Sequence, residues 1–166
     1  MATSTMLQTS GLYEYYTPLA IIEAAWETMG GIDLDPASSE AANRTVRATR
    51  YYTEAIDGLT QDWAGRVWMN HPFGREQNPR WISKLMTEWD TLNIEAACCI
   101  TYACTSEQWF QPLLQFAQCF LSPRTNYLLP DGTIKRGVQK GSVVTYLGDD
   151  RQGFRNAFAS LGVVKV

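Results

Sequence analysis

The fold is decided by one stretch near the middle of the chain, VWMNHPFG at residues 67–74. Its first three residues are apolar and prone to form strands, so they predict a short buried β-strand. Asn70 ends this strand, and the Pro72-Phe73-Gly74 sequence predicts a turn, because proline fixes φ and glycine permits a reversal. Ligands bind beyond the carboxyl ends of the strands in an open α/β sheet, so Asn70 and Phe73 are expected to face a crevice. Taken alone, the stretch is explained about equally well by a strand and proline turn that have no functional role, with Phe73 capping the core.

Helical and strand patterns alternate along the rest of the chain. Helices are predicted to begin at Thr17-Pro18, at Asn78-Pro79 and at Thr105 or Ser106, and a last short helix to include Phe154 and Leu161. The helix from Asn78 is expected to bury Trp81, Leu85, Trp89 and Leu92. Strands are predicted at residues 32–35, 51–53, 67–69, 96–103, 120–121, 142–147 and 163–166, while residues 38–43 fit a helix start or a tight loop. This alternation predicts an α/β fold, an open and mostly parallel sheet with helices on both faces.

Length and composition suggest one globular domain. With 166 residues, a single domain is expected at residues 12–166, and the polar residues 1–11 suggest a flexible tail. Hydrophobic residues make up 45% of the chain, but no apolar run is long enough to cross a membrane, and no secretory leader is expected. The four cysteines form no CxxC pair and there is one histidine, so we expect reduced thiols, no metal site and a cytoplasmic location.

The net charge of −3 does not mark a nucleic-acid-binding protein, but the cations occur in clusters. The clusters are Arg44, Arg47 and Arg50, then Arg75, Arg80 and Lys84 after the central turn, and Lys135, Arg136 and Lys140. Spacing of this kind marks a solvated face more often than a phosphate-binding track.

Polar side chains stand at the carboxyl ends of two predicted strands, Asp35 and Asn70, and Asp57 lies in a turn that can reach them. The sequence has no nucleophile elbow, phosphate-binding loop or dinucleotide-binding glycine pattern, so a Ser or Cys hydrolase is poorly supported. The Asn70 oxygen and a backbone carbonyl of the turn can instead accept the N–H groups of an exocyclic amine, while Phe73 stacks on a flipped-out base. Catalysis would then consist of positioning, with the reactive group carried by a cofactor.

The Asn70-His71-Pro72-Phe73 sequence resembles the Asn/Asp-Pro-Pro-aromatic motif of amino-methyltransferases that modify DNA bases. The surrounding order is similar to that of the phage-type DNA N6-adenine methyltransferase (Dam) family: YTP at 16–18, DLDPAS at 33–38, YYT at 51–53, DGL at 57–59 and DW at 62–63. The resemblance extends from about Tyr15 to Leu147. It implies a Rossmann-like, S-adenosylmethionine-dependent enzyme that methylates the N6 amine of adenine in DNA.

The resemblance also implies roles for individual residues. The cofactor-binding residues would be Thr17 and Pro18 at the methionine end of S-adenosylmethionine, Asp35, Pro36 and Ala37 in place of the usual glycine loop, and Asp57 and Leu59 near the adenine. The catalytic residues that hold the target base would be Asn70, His71, Pro72 and Phe73. Candidate DNA-binding residues, from the loop-like basic segments 74–80 and 130–140, are Arg75, Arg80, Lys135, Arg136 and Lys140.

His71 replaces the first proline of the motif. We expect its backbone carbonyl to accept a hydrogen bond from the target amine and its imidazole to have no role. The rival hypothesis is an imidazole that contacts DNA or the base and titrates near neutral pH.

The expected partner is double-stranded DNA in the cytoplasm of a bacterial host. The protein is expected to be encoded by a phage or prophage and to be a monomer or homodimer. The motif serves any exocyclic amine, so N4-cytosine methylation is an alternative. A catalytically silent relative that binds DNA or a protein is another.

Overall fold

The described part of the chain, residues 15–166 of a computed structural model, contains four α-helices, two 3₁₀ helices and seven β-strands. The α-helices are α1 (Leu19–Met29), α2 (Glu40–Val46), α3 (Gln77–Asp90) and α4 (Arg151–Phe158), and the 3₁₀ helices are Gly58–Thr60 and Gln111–Gln115. The strands are β1 (Leu34–Asp35), β2 (Arg50–Tyr51), β3 (Gly65–Met69), β4 (Ile94–Tyr102), β5 (Ala117–Leu121), β6 (Ser142–Leu147) and β7 (Gly162–Lys165). The tail expected at residues 1–11 lies outside the described residues.

One sheet contains all seven of these strands, in the order β2-β1-β3-β4-β6-β5-β7. β1 pairs in parallel with β2 and β3, and β3 pairs in parallel with β4. The other pairings, β4 with β6, β6 with β5 and β5 with β7, are antiparallel. β1 to β5 therefore run in one direction and β6 and β7 in the other, so the expected α/β sheet is confirmed as a mixed sheet. Each predicted strand overlaps an observed one.

Both faces of the sheet are buried, because the side chains of β3 and β4 alternate between two hydrophobic clusters. Trp68 and Cys98 pack on one face with side chains of α1 and α4, whereas Val67 and Cys99 pack on the other face with side chains of α3. Strands covered on both sides carry continuous apolar runs, which is the pattern in the sequence. The prediction of helices on both faces is confirmed.

The strand order reverses between β1 and β3. From β1 the chain crosses through α2, for which Ser39 is the N-cap, to β2 on one side and then returns to β3 on the other. The open choice at residues 38–43 is thus settled as a helix start. Asp35 is the last residue of β1, and Asn70 follows the last residue of β3. The carboxyl ends that flank such a reversal form the crevice in which open α/β sheets bind ligands.

Two helices begin differently from the sequence prediction. The N-cap of α1 is Pro18 rather than Thr17, and no side chain caps this helix. α3 begins one residue before Asn78, which therefore lies inside the helix. Both side chains that were expected to cap a helix bond to the motif instead, Thr17 to Asn70 and Asn78 to His71. Tertiary hydrogen bonds have taken the place of the local caps.

Two further predictions are wrong. Leu92 is 84% exposed rather than buried, because α3 has already ended and the left-handed φ of 59° at Leu92 turns the chain toward β4. Turns, followed by the 3₁₀ helix Gln111–Gln115, replace the α-helix expected from residue 105 or 106. Pro112 would lie in the interior of that α-helix, where it lacks the required N–H and clashes with the preceding turn.

Candidate active site

The amide nitrogen of Asn70 is fixed by two hydrogen bonds. This nitrogen, Nδ2, donates to the backbone carbonyl of Tyr15 at 2.7 Å and to the hydroxyl of Thr17 at 3.1 Å. A carbonyl can only accept, so the amide nitrogen is the atom that faces Tyr15. Asn70 Oδ1 accepts no hydrogen bond from the described residues, and the side chain is only partly buried. The crevice therefore contains a positioned acceptor at the carboxyl end of β3.

His71 lies in the segment that follows β3, residues 70–74, which we call the motif turn. It is buried, with 2% of its surface exposed. Asn78 donates from Nδ2 to the carbonyl of Phe73 at 3.5 Å, which leaves Asn78 Oδ1 facing His71 Nε2 at 2.7 Å. His71 Nε2 therefore carries the ring proton. Burial lowers the pKa of His71 to about 4, so the ring is neutral at neutral pH. The imidazole ties the turn to α3 and has almost no surface with which to reach DNA.

Phe73 belongs to a cluster of aromatic rings beside the crevice. Its ring centroid lies 4.8 Å from that of Tyr102 and 6.0 Å from that of Tyr127, and the rings of Tyr127 and Tyr15 are 5.6 Å apart. Tyr127 is fully buried, and its hydroxyl oxygen is 2.7 Å from that of Ser142. Sequence reasoning missed all three tyrosines. Tyr102 could have been found because it ends a strand, whereas Tyr15 and Tyr127 lie outside the named elements and carry no such signal.

Asp35 is a buried carboxyl at the carboxyl end of β1, with 2% of its surface exposed. It accepts a hydrogen bond from the backbone N–H of Ala37 at 3.2 Å. The ion pairs within residues 15–166 involve other carboxylates, so no cation of this part of the chain balances Asp35. Burial raises the pKa of Asp35 to about 7. Such a carboxyl favours a ligand that brings its own positive charge.

The turn at residues 57–59 packs directly on the turn that follows β1. Gly58 lies so close to this turn that a Cβ on it would be 1.9 Å from the carbonyl oxygen of Pro36. Asp57 has a left-handed φ of 56° and accepts a hydrogen bond from the backbone N–H of Leu59 at 3.2 Å. Two of the segments expected to bind the cofactor are therefore in contact, while Thr17 lies against the motif.

The basic residues expected to bind DNA lie on two segments, one that follows the motif and one that reaches the aromatic cluster. Arg75, Arg80, Arg136 and Lys140 are exposed, and Lys135 is partly buried. Lys140 Nζ lies 5.7 Å from the centroid of the Tyr102 ring. The backbone N–H of Lys135 donates to the carbonyl of Tyr127 at 2.7 Å, which holds this loop beside the aromatic cluster.

Residues 15–166 contain neither a metal-binding cluster nor a membrane-spanning helix. No group of three or more His, Cys, Asp and Glu side chains there could hold a metal ion. None of the helices in this range is both long enough and apolar enough to span a bilayer.

The Asn70 amide, an aromatic ring beside it and the buried Asp35 carboxyl lie at the topological switch point of an α/β sheet, which is where such sheets bind ligands. The family model of the DNA N-6-adenine-methyltransferases (Dam) matches residues 4–146, most of the chain. The chain belongs to this family. Its reaction is the transfer of a methyl group from S-adenosylmethionine to the N6 amine of adenine in DNA. No curated protein and no solved structure matches the chain.

Proposed function

We propose that the crevice between the carboxyl ends of β1 and β3 is the catalytic site, and that it acts on adenine in double-stranded DNA. The observation that carries this proposal is the Oδ1 of Asn70, which accepts no hydrogen bond from residues 15–166 and is held in place by the two hydrogen bonds that Nδ2 donates. One N–H of the N6 amine donates to this oxygen, and the other donates to the backbone carbonyl of His71. The amine lone pair is then directed at the methyl group, and catalysis rests on this positioning.

The motif turn also holds the base and stabilises the developing charge. Phe73 stacks on the flipped-out adenine, a contact that contributes about 1–3 kcal/mol per base and offsets part of the cost of unstacking. Pro72 limits the freedom of the turn. Positive charge that develops on the amine nitrogen during the transfer would be stabilised by the oxygens of Asn70 and His71, and the nitrogen would give up its extra proton to solvent water.

S-adenosylmethionine supplies an electrophilic methyl group when it is bound. The residues that would hold it are Thr17 and Pro18 at the methionine end, Asp35, Pro36 and Ala37 beneath it, and Asp57 and Leu59 near its adenine. Asp35 supports this fit, because a buried carboxyl that no cation of the described chain balances suits the ammonium group of the cofactor.

The remaining parts of the proposal concern the whole protein. Residues 12–166 form one methyltransferase domain, and β1 to β4 correspond to the ligand-binding half of a Rossmann-like fold. The duplex lies against the basic segments that contain Arg75, Arg80, Lys135, Arg136 and Lys140. The four cysteines form no disulfide, which suits the reducing cytoplasm of a bacterial host of the phage or prophage.

Mass spectrometry of nucleosides tests this function directly. DNA from methylation-deficient cells that express the protein should contain N6-methyladenine. N4-methylcytosine instead would support the other amine substrate, and no methylated base despite cofactor binding would support a silent binder. In vitro, Asn70→Ala should lower the transfer rate by two to three decades, the effect of about 2.7–4 kcal/mol, and change cofactor affinity only a few-fold. Near-normal transfer by this variant would remove Asn70 from the mechanism.

A further inference from the structure

Thr17 touches the catalytic amide directly, although the family resemblance places it at the cofactor. Its hydroxyl oxygen lies 3.1 Å from Asn70 Nδ2, and 5% of the residue is exposed. We infer that Thr17 is a positioning residue for Asn70: together with the Tyr15 carbonyl, its hydroxyl holds the amide in the orientation that presents Oδ1 to the target amine. The inference rests on the proposed role of Asn70.

The orientation matters because an Asn side chain can rotate by half a turn and exchange its oxygen and nitrogen. The rotated amide of Asn70 would present N–H groups to an amine that is itself a donor, and would bring Oδ1 against the Tyr15 carbonyl, another acceptor. In the observed orientation Tyr15 accepts one amide N–H and Thr17 accepts the other. Both hydrogens are used, so the oxygen is the atom left for the substrate.

The segment that holds Asn70 is itself anchored elsewhere in the fold. The Tyr16 N–H donates to the Leu128 carbonyl at 2.7 Å, and the Leu128 N–H donates to the Tyr16 carbonyl at 2.9 Å. On the other side of Thr17, Pro18 has a φ of −56° and leads into α1, which packs against α4. Thr17 is therefore fixed by backbone contacts that do not depend on Asn70, as a positioning residue requires.

The test compares Thr17→Val, which keeps the shape but loses the hydroxyl, with Thr17→Ser, which keeps the hydroxyl. Single-turnover transfer at saturating cofactor and DNA should fall roughly 10- to 100-fold in Thr17→Val, because one amide N–H of Asn70 loses its acceptor, and Thr17→Ser should recover most of the rate. The Kd for S-adenosylmethionine, measured by calorimetry, reports the cofactor contact proposed for Thr17 separately, because a loss of positioning lowers the rate even when the cofactor is saturating. A weakened Kd in Thr17→Val with a normal saturated rate would overturn the inference, because Thr17 would then serve cofactor binding alone.

A double-mutant cycle separates positioning from a general structural effect. In the Asn70→Ala background, Thr17→Val should lower the rate no further, because the amide that it positions is gone. Additive effects on the rate would overturn the inference, and thermal midpoints of all four proteins show whether folding is affected. The proposed function fails by a different result: near-normal transfer in Asn70→Ala alone, whatever Thr17→Val does.

Discussion

At the scale of single residues, burial is the main cause of the pKa shifts of Asp35 and His71. Asp35 and His71 are each 2% exposed, and burial disfavours the charged form of both. The pKa of the carboxyl therefore rises to about 7 while that of the imidazole falls to about 4. Near neutral pH the ring carries no charge, and the carboxyl ionises most readily when a cation arrives.

The affinity for S-adenosylmethionine should rise with pH because of Asp35. Its pKa is raised from 3.8 to about 7, so below about pH 7 the free enzyme holds a proton that must leave before the carboxylate can balance the cofactor ammonium. Calorimetry should show the association constant rising by up to about tenfold per pH unit below the pKa and levelling off above it. Asp35→Asn should bind more weakly and lose this dependence.

Asp90→Asn is the matched control, because Asp90 is exposed at the end of α3 that lies away from the motif, so this variant should keep the wild-type pH profile. A wild-type affinity that is flat across neutral pH would remove Asp35 from the cofactor site.

Asn78 marks the limit of what could be predicted for single residues of the site. The sequence predicts a turn at Pro72-Phe73-Gly74, but the turn forms just after it, at residues 75–76, where the Gln77 N–H donates to the Gly74 carbonyl at 3.0 Å. The sequence assigns Asn78 to a helix cap, but the side chain bonds to His71. A cap and a tertiary bond use the same amide, and only the packing of α3 against the turn decides between them.

Among the elements, strands were easier to predict than the connections between them. β3, β4 and β6 each contain a run of mostly apolar residues, and their positions follow from burial on both faces. Pro130-Asp131-Gly132, in the loop between β5 and β6, is a local turn signal, and the structure has a turn there. The attachment of this loop to the site depends on the pairing of Leu128 with Tyr16, residues far apart in sequence, and no local pattern encodes that contact.

The contact between the turn after β1 and the turn at residues 57–59 gives a prediction at the scale of elements. Gly58→Ala should weaken cofactor binding at least about tenfold and lower stability by about 1–3 kcal/mol, because a Cβ would overlap the Pro36 carbonyl and push the turns apart. Gly141→Ala is the control, since a Cβ at Gly141 meets nothing within 4 Å. Calorimetry and thermal unfolding should show no change in the control, and an unaffected Gly58→Ala would mean that the two turns do not form one binding surface.

For the whole molecule, the net charge of −3 conceals an uneven distribution of cations. The first basic cluster has partners within the chain: Arg44 pairs with Glu40 at 3.4 Å, and Arg47 and Arg50 lie over aromatic rings at 5.4 Å and 5.6 Å from the ring centroids. Lys140 also lies 5.7 Å from a ring centroid, so position in the fold, rather than such contacts, separates the clusters. Because the other basic segments lie beside the motif and the aromatic cluster, we expect the DNA interface there.

The salt dependence of DNA binding tests that local interface. Removing one cation that binds a phosphate should reduce the slope of log K against log salt by about 0.9, so Arg136→Ala with Lys140→Ala should reduce it by up to about 1.8 and weaken binding.

Arg151→Ala is the control, because it removes another exposed cation, at the start of α4. β6, the strand before α4, ends where Leu147 pairs with Ala97 near the beginning of β4, so Arg151 lies at the sheet edge opposite the crevice. Binding titrations over a range of salt concentrations should leave the Arg151→Ala slope unchanged. The contrary result is a slope that falls by the same amount per removed cation in the double variant and in Arg151→Ala. In that case the protein attracts DNA by its total positive charge, and the basic segments beside the crevice form no specialised interface.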